Sequence, residues 1–459
     1  MNRSPLSRRR PRLLRLPWLA TAPPSPLPTA SPIHQLLLDC LSRVTDPAPI
    51  ARLAQLSATD WRELVQVSAR HGVGPLLYDR LSTGASLLPV PDGVMQTLRE
   101  AFLMNATRNA LLYHDLAQAV TTLQQNGIRV AVLKGAHLAA LIYPHIGLRP
   151  MADMDLLVPK EDLAKADTVL CGLGYATNRW QDIETQCRAS QHLVPFSKPP
   201  HPRIELHWTL AAPTLPFQID MAGILVRLRP ATIAGVETHV LAPDDLLLHL
   251  CTHAAGHLPV PFCHGFRTFC DLAAVLRHHR AELDWAAIKG RAVGWRAGKG
   301  VYVALRLACE LVQAEVPPTA LEALRPDNFD GQGYALACEQ ASFIEAEPTG
   351  TGNELDWPRF RVLVQGTTTV SFAGKLKFLV RTAFPSREHM TIYMAQFHSL
   401  PLTGHRRYTC YLTRALDLTG RCLRLLRYGA THRQETDACA RQLQREAELR
   451  RWLIGPNSP

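Results

Sequence analysis

The sequence predicts an α+β fold, in which a central unit of alternating strands and helices is flanked by mostly helical regions. Two observations support this class. Short apolar runs rich in β-branched residues occur between positions 111 and 245, and segments of helical pattern separate them. The residues on either side of this unit repeat their apolar side chains at helical spacing. The length of 459 residues favours two or three compact units over one.

The chain is predicted to begin with a disordered basic leader over 1–30 and a helical N-terminal unit over 31–110. The leader holds six arginines and no acidic residue, and an arginine and a proline interrupt its apolar stretch, which argues against a signal peptide. An organellar transit peptide is the alternative. In the helical unit, Ser57 and Asp60 have the spacing of a helix cap, and an apolar run follows them.

The core with the predicted sheet extends over 111–245. A helix over 109–125 should precede the first strand and end at Gly127, because glycine readily takes the left-handed conformation that stops a helix. Three strands are predicted, and two helices separate them. The strands cover 128–133, 154–158 and 204–208, and the helices cover 136–143 and 160–173.

Helical patterns return after position 245 and define two further regions. The helical unit over 246–345 is predicted from patterns over 244–275, 285–300 and 302–314. The C-terminal helical region over 346–459 contains a basic helix over 408–428 and a charged last helix over 435–453. We expect the basic helix to be amphipathic and packed on the body of the protein. A membrane-surface or RNA-binding helix is the alternative.

Composition excludes several classes of protein. Apolar residues make up 47% of the chain and charged residues 19%, which excludes wholesale disorder, a collagen-like repeat and a coiled-coil rod. The 11 cysteines are scattered without a C-x-x-C pair, which indicates a reducing cytoplasm rather than a disulfide framework. No apolar stretch is long enough to span a bilayer. The net charge of +11 is concentrated in the leader and does not by itself indicate a nucleic-acid partner.

Asp153 and Asp155 lie two residues apart at the start of a predicted strand. Residues two apart point to the same face of a strand, so both carboxylates should project side by side while Met154 and Leu156 face the core. Two adjacent carboxylates need a cation, and their hard oxygen ligands suit Mg²⁺, which proteins bind with one or two carboxylates and substrate phosphates. The alternative is an Asp-x-Asp that only begins a strand.

A second candidate feature is the predicted strand that runs into Lys134-Gly135 and then into a helix. A helix entered through glycine presents free backbone N–H groups and the positive end of the helix dipole, and both favour a phosphate. Lys134 and Arg149 would add a point charge and a bidentate contact to a polyphosphate. The alternative is that Gly135 only relieves a tight turn and that both cations are solvated.

Glu205 and His207 form the third feature. Alternation along their strand places them on one face and Ile204 with Leu206 on the other. We predict that Glu205 joins the two aspartates, and three carboxylates would support two-metal phosphoryl transfer. Glu205 would then hold metal or take the proton of the attacking hydroxyl, and His207 is a second candidate base. A surface glutamate on an edge strand is the alternative.

Three carboxylates close together without a cation should repel one another and raise at least one pKa. Neutralising Asp155 is therefore expected to leave the free energy of unfolding unchanged or to increase it. A purely structural Asp155, which caps a turn or pairs with Arg149, predicts a loss of stability instead.

These motifs resemble the nucleotidyltransferase superfamily and, within it, the uncharacterised bacterial nucleotidyltransferase-like proteins. The similar segments stand in the order of that family and are Val132-Leu-Lys-Gly135, Arg149 followed by Asp153-Met-Asp155-Leu-Leu-Val158, and Ile204-Glu-Leu-His-Trp208. The segments 242–249 and 267–273 are also similar. The resemblance implies a small mixed sheet flanked by helices, with Mg²⁺ as the cofactor. It implies transfer of a nucleoside monophosphate from a nucleoside triphosphate to a hydroxyl-bearing acceptor, with release of pyrophosphate.

The resemblance also assigns roles to the motif residues. Asp153, Asp155 and Glu205 would hold the metal and carry catalysis. The residues predicted to contact the nucleotide are Lys134, Gly135, Arg149 and His207. The chain departs from the family pattern in one place, since many members of the superfamily have Gly-Ser where it has Gly135-Ala136. A hydroxyl contact to the triphosphate is therefore missing, and either Lys134 substitutes for it or triphosphate binding is weakened.

Two hypotheses from other classes stand beside the enzyme. One is a catalytically inactive nucleotidyltransferase-like adaptor that binds a protein or RNA partner through its helical C-terminal region. The other is a zinc-dependent hydrolase built on His249, His253 and His257, which lie four residues apart on one helical face. We expect these histidines not to form a tetrahedral zinc site, because no H-E-x-x-H glutamate lies between them. Asp271 is expected to anchor a helix or to contact substrate.

Overall fold

The structure is a computed structural model, and it describes residues 31–42, 47–83, 90–177, 182–256, 262, 265–327, 329–342 and 433–455. The predicted leader and the predicted basic helix over 408–428 lie outside these residues. A mixed sheet occupies the central region and helices flank it, which confirms the predicted α+β class. Within the described residues no helix is long and apolar enough to cross a membrane.

The N-terminal region is helical. Its described helices are α1 (Pro32–Leu41), α2 (Pro47–Leu53), α3 (Ala58–Arg70), α4 (Gly74–Thr83) and α5 (Asp92–Gln125). The predicted cap of α3 is confirmed, because Ser57 Oγ accepts from the N–H of Asp60 at 3.2 Å and the Asp60 carboxylate accepts from the N–H of Ser57 at 2.9 Å. The helix predicted over 109–125 is the second half of the 34-residue α5, which ends at Gln125. Gly127 follows closely and has the left-handed conformation that was expected to stop the helix, with a φ of 71°.

The described strands form a six-stranded mixed sheet in the order β3-β4-β2-β1-β6-β5. They are β1 (Ala131–Val132), β2 (Asp153–Leu157), β3 (Phe196–Lys198), β4 (His201–His207), β5 (Arg229–Ile233) and β6 (Val236–Val240). Strand β2 pairs antiparallel with β1 and parallel with β4, while β1 pairs parallel with β6. The three predicted strands correspond to β1, β2 and β4. The sequence did not predict β3 or the hairpin of β5 and β6.

Helices connect these strands and cover the sheet. The connecting helices are α6 (Lys134–His137), which continues as a π-helix (Leu138–Ile142), the short 3₁₀ helices Ile146–Leu148 and Lys160–Asp162, and α7 (Leu163–Gly172), α8 (Ile183–Ala189) and α9 (Met221–Arg227). One core cluster combines apolar residues of α5 with Met154, Leu156, Ile204 and Leu206, all of which are fully buried. The even-numbered residues of β2 and β4 therefore anchor the sheet, and the odd-numbered ones are left for the opposite face.

The C-terminal region is helical again. Its described helices are α10 (Pro243–Gly256), α11 (Phe266–His278), α12 (Trp285–Gly294), α13 (Gly298–Val312), α14 (Pro318–Leu324), α15 (Gly331–Ser342) and α16 (Arg433–Ile454). A second core cluster joins these helices to α1–α4. The last helix packs on Gly333, where a Cβ atom would collide with the indole ring of Trp452. The predicted last helix over 435–453 corresponds to α16.

Asp245, in the first turn of α10, ties two other elements to that helix. Its fully buried carboxylate accepts from Arg227 Nε at 2.8 Å and from Arg291 Nη1 at 2.9 Å. Replacing Asp245 with asparagine should lower the free energy of unfolding by about 3 kcal/mol, because it leaves two guanidinium groups without their shared buried charge. Urea unfolding measures this loss. Asp244→Asn is the matched control, and an equal loss in both variants would contradict the bridging role.

Candidate active site

Two carboxylates lie side by side on the face of the sheet opposite α5. Because β2 and β4 are parallel and in register, Asp155 is paired with Glu205, and Asp153 with Arg203. Cross-strand partners share a face of the sheet, so Asp153, Asp155 and Glu205 all project from the same side. Alternation alone predicted a shared face for Asp153 with Asp155 and, on another strand, for Glu205 with His207, and the prediction added that Glu205 joins the aspartates. The register of β2 against β4, which sets Asp155 beside Glu205, comes from the structure.

Lys134 supplies a positive charge between these two strands. Its ammonium donates to Asp155 Oδ1 at 2.7 Å and lies 4.0 Å from Glu205 Oε2. The residue has a φ of 40°, a left-handed conformation that is unfavourable for a side chain with a Cβ atom and that tends to persist only where the surroundings hold it. The strand-to-helix turn is therefore made by Lys134 itself rather than by Gly135.

Gly135 has a different reason to be glycine. A Cβ atom at this position would lie 2.5 Å from Nη1 of Arg149 and 3.1 Å from Cγ of Met151. Any side chain would therefore displace Arg149. The glycine allows a guanidinium group to approach the first turn of α6, and this close approach brings together two of the residues predicted to contact a nucleotide.

Arg149 is paired with Asp271 rather than solvated. Its Nη2 donates to Asp271 Oδ2 at 3.0 Å, its Nε lies 3.4 Å from Oδ1, and Tyr143 donates to the same Oδ1 at 2.8 Å. Although burial disfavours the charged guanidinium, Asp271 raises the pKa of Arg149 above its ordinary value. Asp271, expected to anchor a helix or to contact substrate, thus connects α11 to the residues that precede β2.

The titration behaviour of the aspartates differs sharply. Burial and the charges of Asp155 and Glu205 raise the pKa of Asp153. Burial also disfavours the charged form of Asp155, but Lys134 and a hydrogen bond from His207 hold its pKa well below the usual range. The expected repulsion is therefore present at Asp153, whereas at Asp155 the neighbouring cation outweighs it.

His207 is fully buried beside Asp155. Its Nε2 donates to Asp155 Oδ1 at 2.8 Å and lies 3.6 Å from Glu205 Oε2. Its Nδ1 is buried and has no hydrogen-bond partner among the described residues. Because the nitrogen that faces the carboxylates carries the shared proton, this geometry gives His207 a role in orienting Asp155.

His192, which the sequence did not single out, also faces Glu205. It lies in the segment between α8 and β3, and its Nε2 is 3.6 Å from Glu205 Oε2. Its Nδ1 is 2.7 Å from the carbonyl oxygen of Leu193, which can only accept, so the proton resides on Nδ1. Burial and the neighbouring His207 lower the pKa of His192, and its neutral Nε2 is free to accept a proton. No pattern in the surrounding sequence marks this histidine.

The carboxylate oxygens of this cluster suit a divalent cation, whereas Nε2 of His207 carries the proton that it donates to Asp155. One oxygen of Asp155, one of Glu205 and one nitrogen of His207 lie within 4.8 Å of one another, and Asp153 is not part of this group. Both hydrogen bonds to Asp155 use Oδ1, and none from a described residue reaches Oδ2. The carboxylate of Asp153 has no hydrogen bond or ion pair to a described residue, although its backbone pairs with the strand at Arg203. A hard cation would bind the free carboxylate oxygens and reduce the repulsion that helps to raise the pKa of Asp153.

The candidate zinc histidines do not form such a group within the residues that the structure describes. The rings of His249 and His253 are 6.1 Å apart, and His257 lies outside the described residues. Neither described histidine belongs to a cluster of three metal-ligating side chains. His249 is fully buried, burial lowers its pKa to about 3, and it is held neutral beside Lys134 and His207.

Comparison with known proteins identifies a family. The model of a family described as uncharacterised nucleotidyltransferase matches residues 57–313, which is more than half of the chain. The match covers the whole sheet, the carboxylates of β2 and β4, and helices from α3 to α13. No curated protein and no solved structure matches the chain.

Proposed function

The chain belongs to the uncharacterised nucleotidyltransferase family, and from this membership we propose that it transfers a nucleoside monophosphate from a nucleoside triphosphate to a hydroxyl-bearing acceptor and releases pyrophosphate. The observation that carries the proposal is the pairing of Asp155 with Glu205 on adjacent parallel strands, beside the turn at Lys134. The proposal places the reaction in the cytoplasm and requires Mg²⁺.

We assign the metal to the carboxylates. Asp153, Oδ2 of Asp155 and Glu205 would hold Mg²⁺, with His207 keeping Asp155 in orientation. Bound there, the ion would lower the pKa of an attacking hydroxyl and stabilise charge that develops on the transferred phosphorus. Among the base candidates, Glu205 is better suited to the metal, because the nearby His207 and Lys134 lower its pKa despite burial. His192, neutral at Nε2, is the better proton acceptor.

Lys134 would replace the triphosphate contact that the serine hydroxyl of the Gly-Ser pattern makes in other members of the superfamily. In the structure its ammonium compensates the charge of Asp155. A divalent cation on the same carboxylate would take over that compensation, and the ammonium would then be available to the triphosphate. Lys134 thus supports the proposal that the loop beginning at Gly135 binds phosphates without a serine.

The alternative function is a catalytically inactive nucleotidyltransferase-like adaptor with a protein or RNA partner. The contact that favours it is the same one, since an ammonium 2.7 Å from Asp155 supplies the positive charge that the carboxylates otherwise need from a metal. An inactive protein would keep Lys134 in place permanently. Binding of Mg²⁺ and nucleotide therefore separates the two hypotheses.

The full-length protein should transfer label to a component of a cell extract from one or more triphosphates labelled at the α-phosphate, in the presence of Mg²⁺. The same nucleotide labelled at the γ-phosphate should leave the acceptor unlabelled, because the γ-phosphate departs in pyrophosphate. Chromatography of the labelled fraction measures both. Transfer of the γ-label would indicate a kinase and contradict the proposal, and a lack of any transfer together with a lack of nucleotide binding would favour the adaptor.

A further inference from the structure

Two arginines from different elements meet at the carbonyl oxygen of Pro150, just before β2 begins. Nη1 of Arg149 lies 3.1 Å from this oxygen, and Nη1 of Arg267, in the first turn of α11, lies 3.4 Å from it. Asp271 neutralises Arg149. In the described part of the chain no carboxylate lies within ion-pair distance of Arg267. The two guanidinium groups and the one carboxylate therefore leave a net positive charge.

The side chain of Arg267 is held in place rather than extended into solvent. It runs along the turn after α3, where a Cβ atom on Gly72 would lie 3.4 Å from Nη1 and 3.5 Å from Cδ of Arg267. Gly72 has a φ of 65°, so the turn itself also favours glycine. The arginine is only partly exposed. A guanidinium group that is held on two sides, in a residue that keeps some solvent exposure, is pre-organised for a ligand.

This charge adjoins the candidate active site. The Arg149 group that meets Arg267 at Pro150 is the one that lies against Gly135. Burial and the like charge of Arg149 lower the pKa of Arg267. Its position at the N-terminus of α11 is also unfavourable for a cation, because the helix dipole is positive there. A bound anion would compensate the buried charge of Arg267, offset its repulsion by Arg149 and interact favourably with the helix dipole.

We propose that Arg267, beside Arg149, binds the terminal phosphates of the triphosphate and the pyrophosphate product. The inference rests on the proposed function for the identity of the ligand as a nucleotide. The two cations predicted from the sequence, Lys134 and Arg149, are each paired with a carboxylate. Arg267 has no such pair in the described part of the chain, so its guanidinium N–H groups can donate to a phosphate. Asp271 is then a positioning residue, which fixes the fork of Arg149 next to Arg267.

Calorimetric titration of the full-length protein tests this inference. The probes are inorganic pyrophosphate and the four common nucleoside triphosphates, each with Mg²⁺. Arg267→Gln should weaken binding of pyrophosphate and of the bound nucleotide ten- to a hundredfold, the range given by charge-assisted hydrogen bonds. Arg280→Gln is the matched control, because Arg280 follows α11 closely, is highly exposed and pairs with Glu315. It should bind both ligands as the wild type does.

The outcomes distinguish this inference from the proposed function. Wild-type binding of a triphosphate that survives unchanged in Arg267→Gln would overturn the role of Arg267 and leave the proposed function intact. Binding of pyrophosphate without any nucleotide or transfer would support the anion site and overturn the proposed function. Binding of neither ligand by the wild type would overturn both.

A second measurement does not depend on the folding of a variant. Phenylglyoxal modifies accessible arginines, and mass spectrometry of the peptides reports each site. Pyrophosphate should protect Arg267 of the wild-type protein and leave modification of Arg280 unchanged. The proposal would be overturned if pyrophosphate left the extent of Arg267 modification unchanged. It would also be overturned if phenylglyoxal did not modify Arg267 in the ligand-free protein.

Discussion

Asp153→Asn is expected to reduce nucleotidyl transfer on the order of a hundredfold or more and to leave the protein as stable as the wild type or more stable. The loss of rate follows if Asp153 holds Mg²⁺, because the substitution removes one negative charge where the metal must bind. The effect on stability follows from its pKa, which burial and two neighbouring carboxylates raise. A raised folded-state pKa means that ionising Asp153 costs more in the folded protein than in the unfolded chain, and asparagine removes that cost.

Asp155→Asn is the partner variant in this experiment. It should lose as much activity, but its free energy of unfolding should fall by about 3 kcal/mol, because Lys134 and His207 lose a buried charge that they share. The sign is opposite because the pKa of Asp155 is lowered, so its ionised form stabilises the fold above that pKa. Chemical unfolding and transfer assays of both variants provide the comparison. An Asp153→Asn enzyme with wild-type activity would contradict a metal role for that residue.

The sequence predicted the elements whose signals are local. Strands β2 and β4 each alternate apolar and polar side chains, and the cap at Ser57 and Asp60 is a short-range pattern. The hairpin of β5 and β6 was missed because its turn uses Ala234 and Gly235, both at positive φ, where a hairpin signal usually has Asn-Gly. Alanine is not a residue typical of such turns, so the sequence does not indicate that Ala234 takes the left-handed conformation.

The candidate site was predictable in its residue types and not in its pairings. Alternation places Asp155 and Glu205 each on one face of a strand, but whether they meet depends on the register of two strands far apart in the chain. The pairing of Arg149 with Asp271 spans 122 positions. No local pattern reports such a contact. The expectation that neutralising Asp155 would not destabilise the fold is reversed for the same reason, since it did not include the ammonium of Lys134.

Stability is expected to fall steeply between pH 7 and pH 5. Three buried histidines, His71, His137 and His249, have pKa values of about 3, lowered mainly by burial. A histidine with a lowered folded-state pKa contributes its full stability above the unfolded value near 6.5 and loses it as the pH falls. Each should cost about 2 kcal/mol at pH 5. This loss is large against the usual total of roughly 5–15 kcal/mol.

His71 provides the sharpest test of this prediction, because none of the contacts that the structure gives it involves the carboxylates of β2 or β4. Its ring stacks on Phe266 at a centroid distance of 3.8 Å, and its Nδ1 accepts from the N–H of Phe266 at 3.3 Å. Protonation of Nδ1 would abolish that hydrogen bond, and the neighbouring His34 and Arg70 further disfavour a positive charge. Folding therefore selects the neutral ring.

His71→Gln should make the unfolding free energy less dependent on pH, by about 2 kcal/mol between pH 7 and pH 5. Glutamine keeps an acceptor for the Phe266 N–H but does not titrate, so any constant cost of the substitution cancels when the two pH values are compared. The matched control is His114→Gln, in which an exposed imidazole is lost. Urea unfolding of the three proteins at a series of pH values measures the slopes. If His71→Gln and the wild type lose equal stability over this interval, His71 does not fold in its neutral form, and the acid sensitivity must arise from other groups.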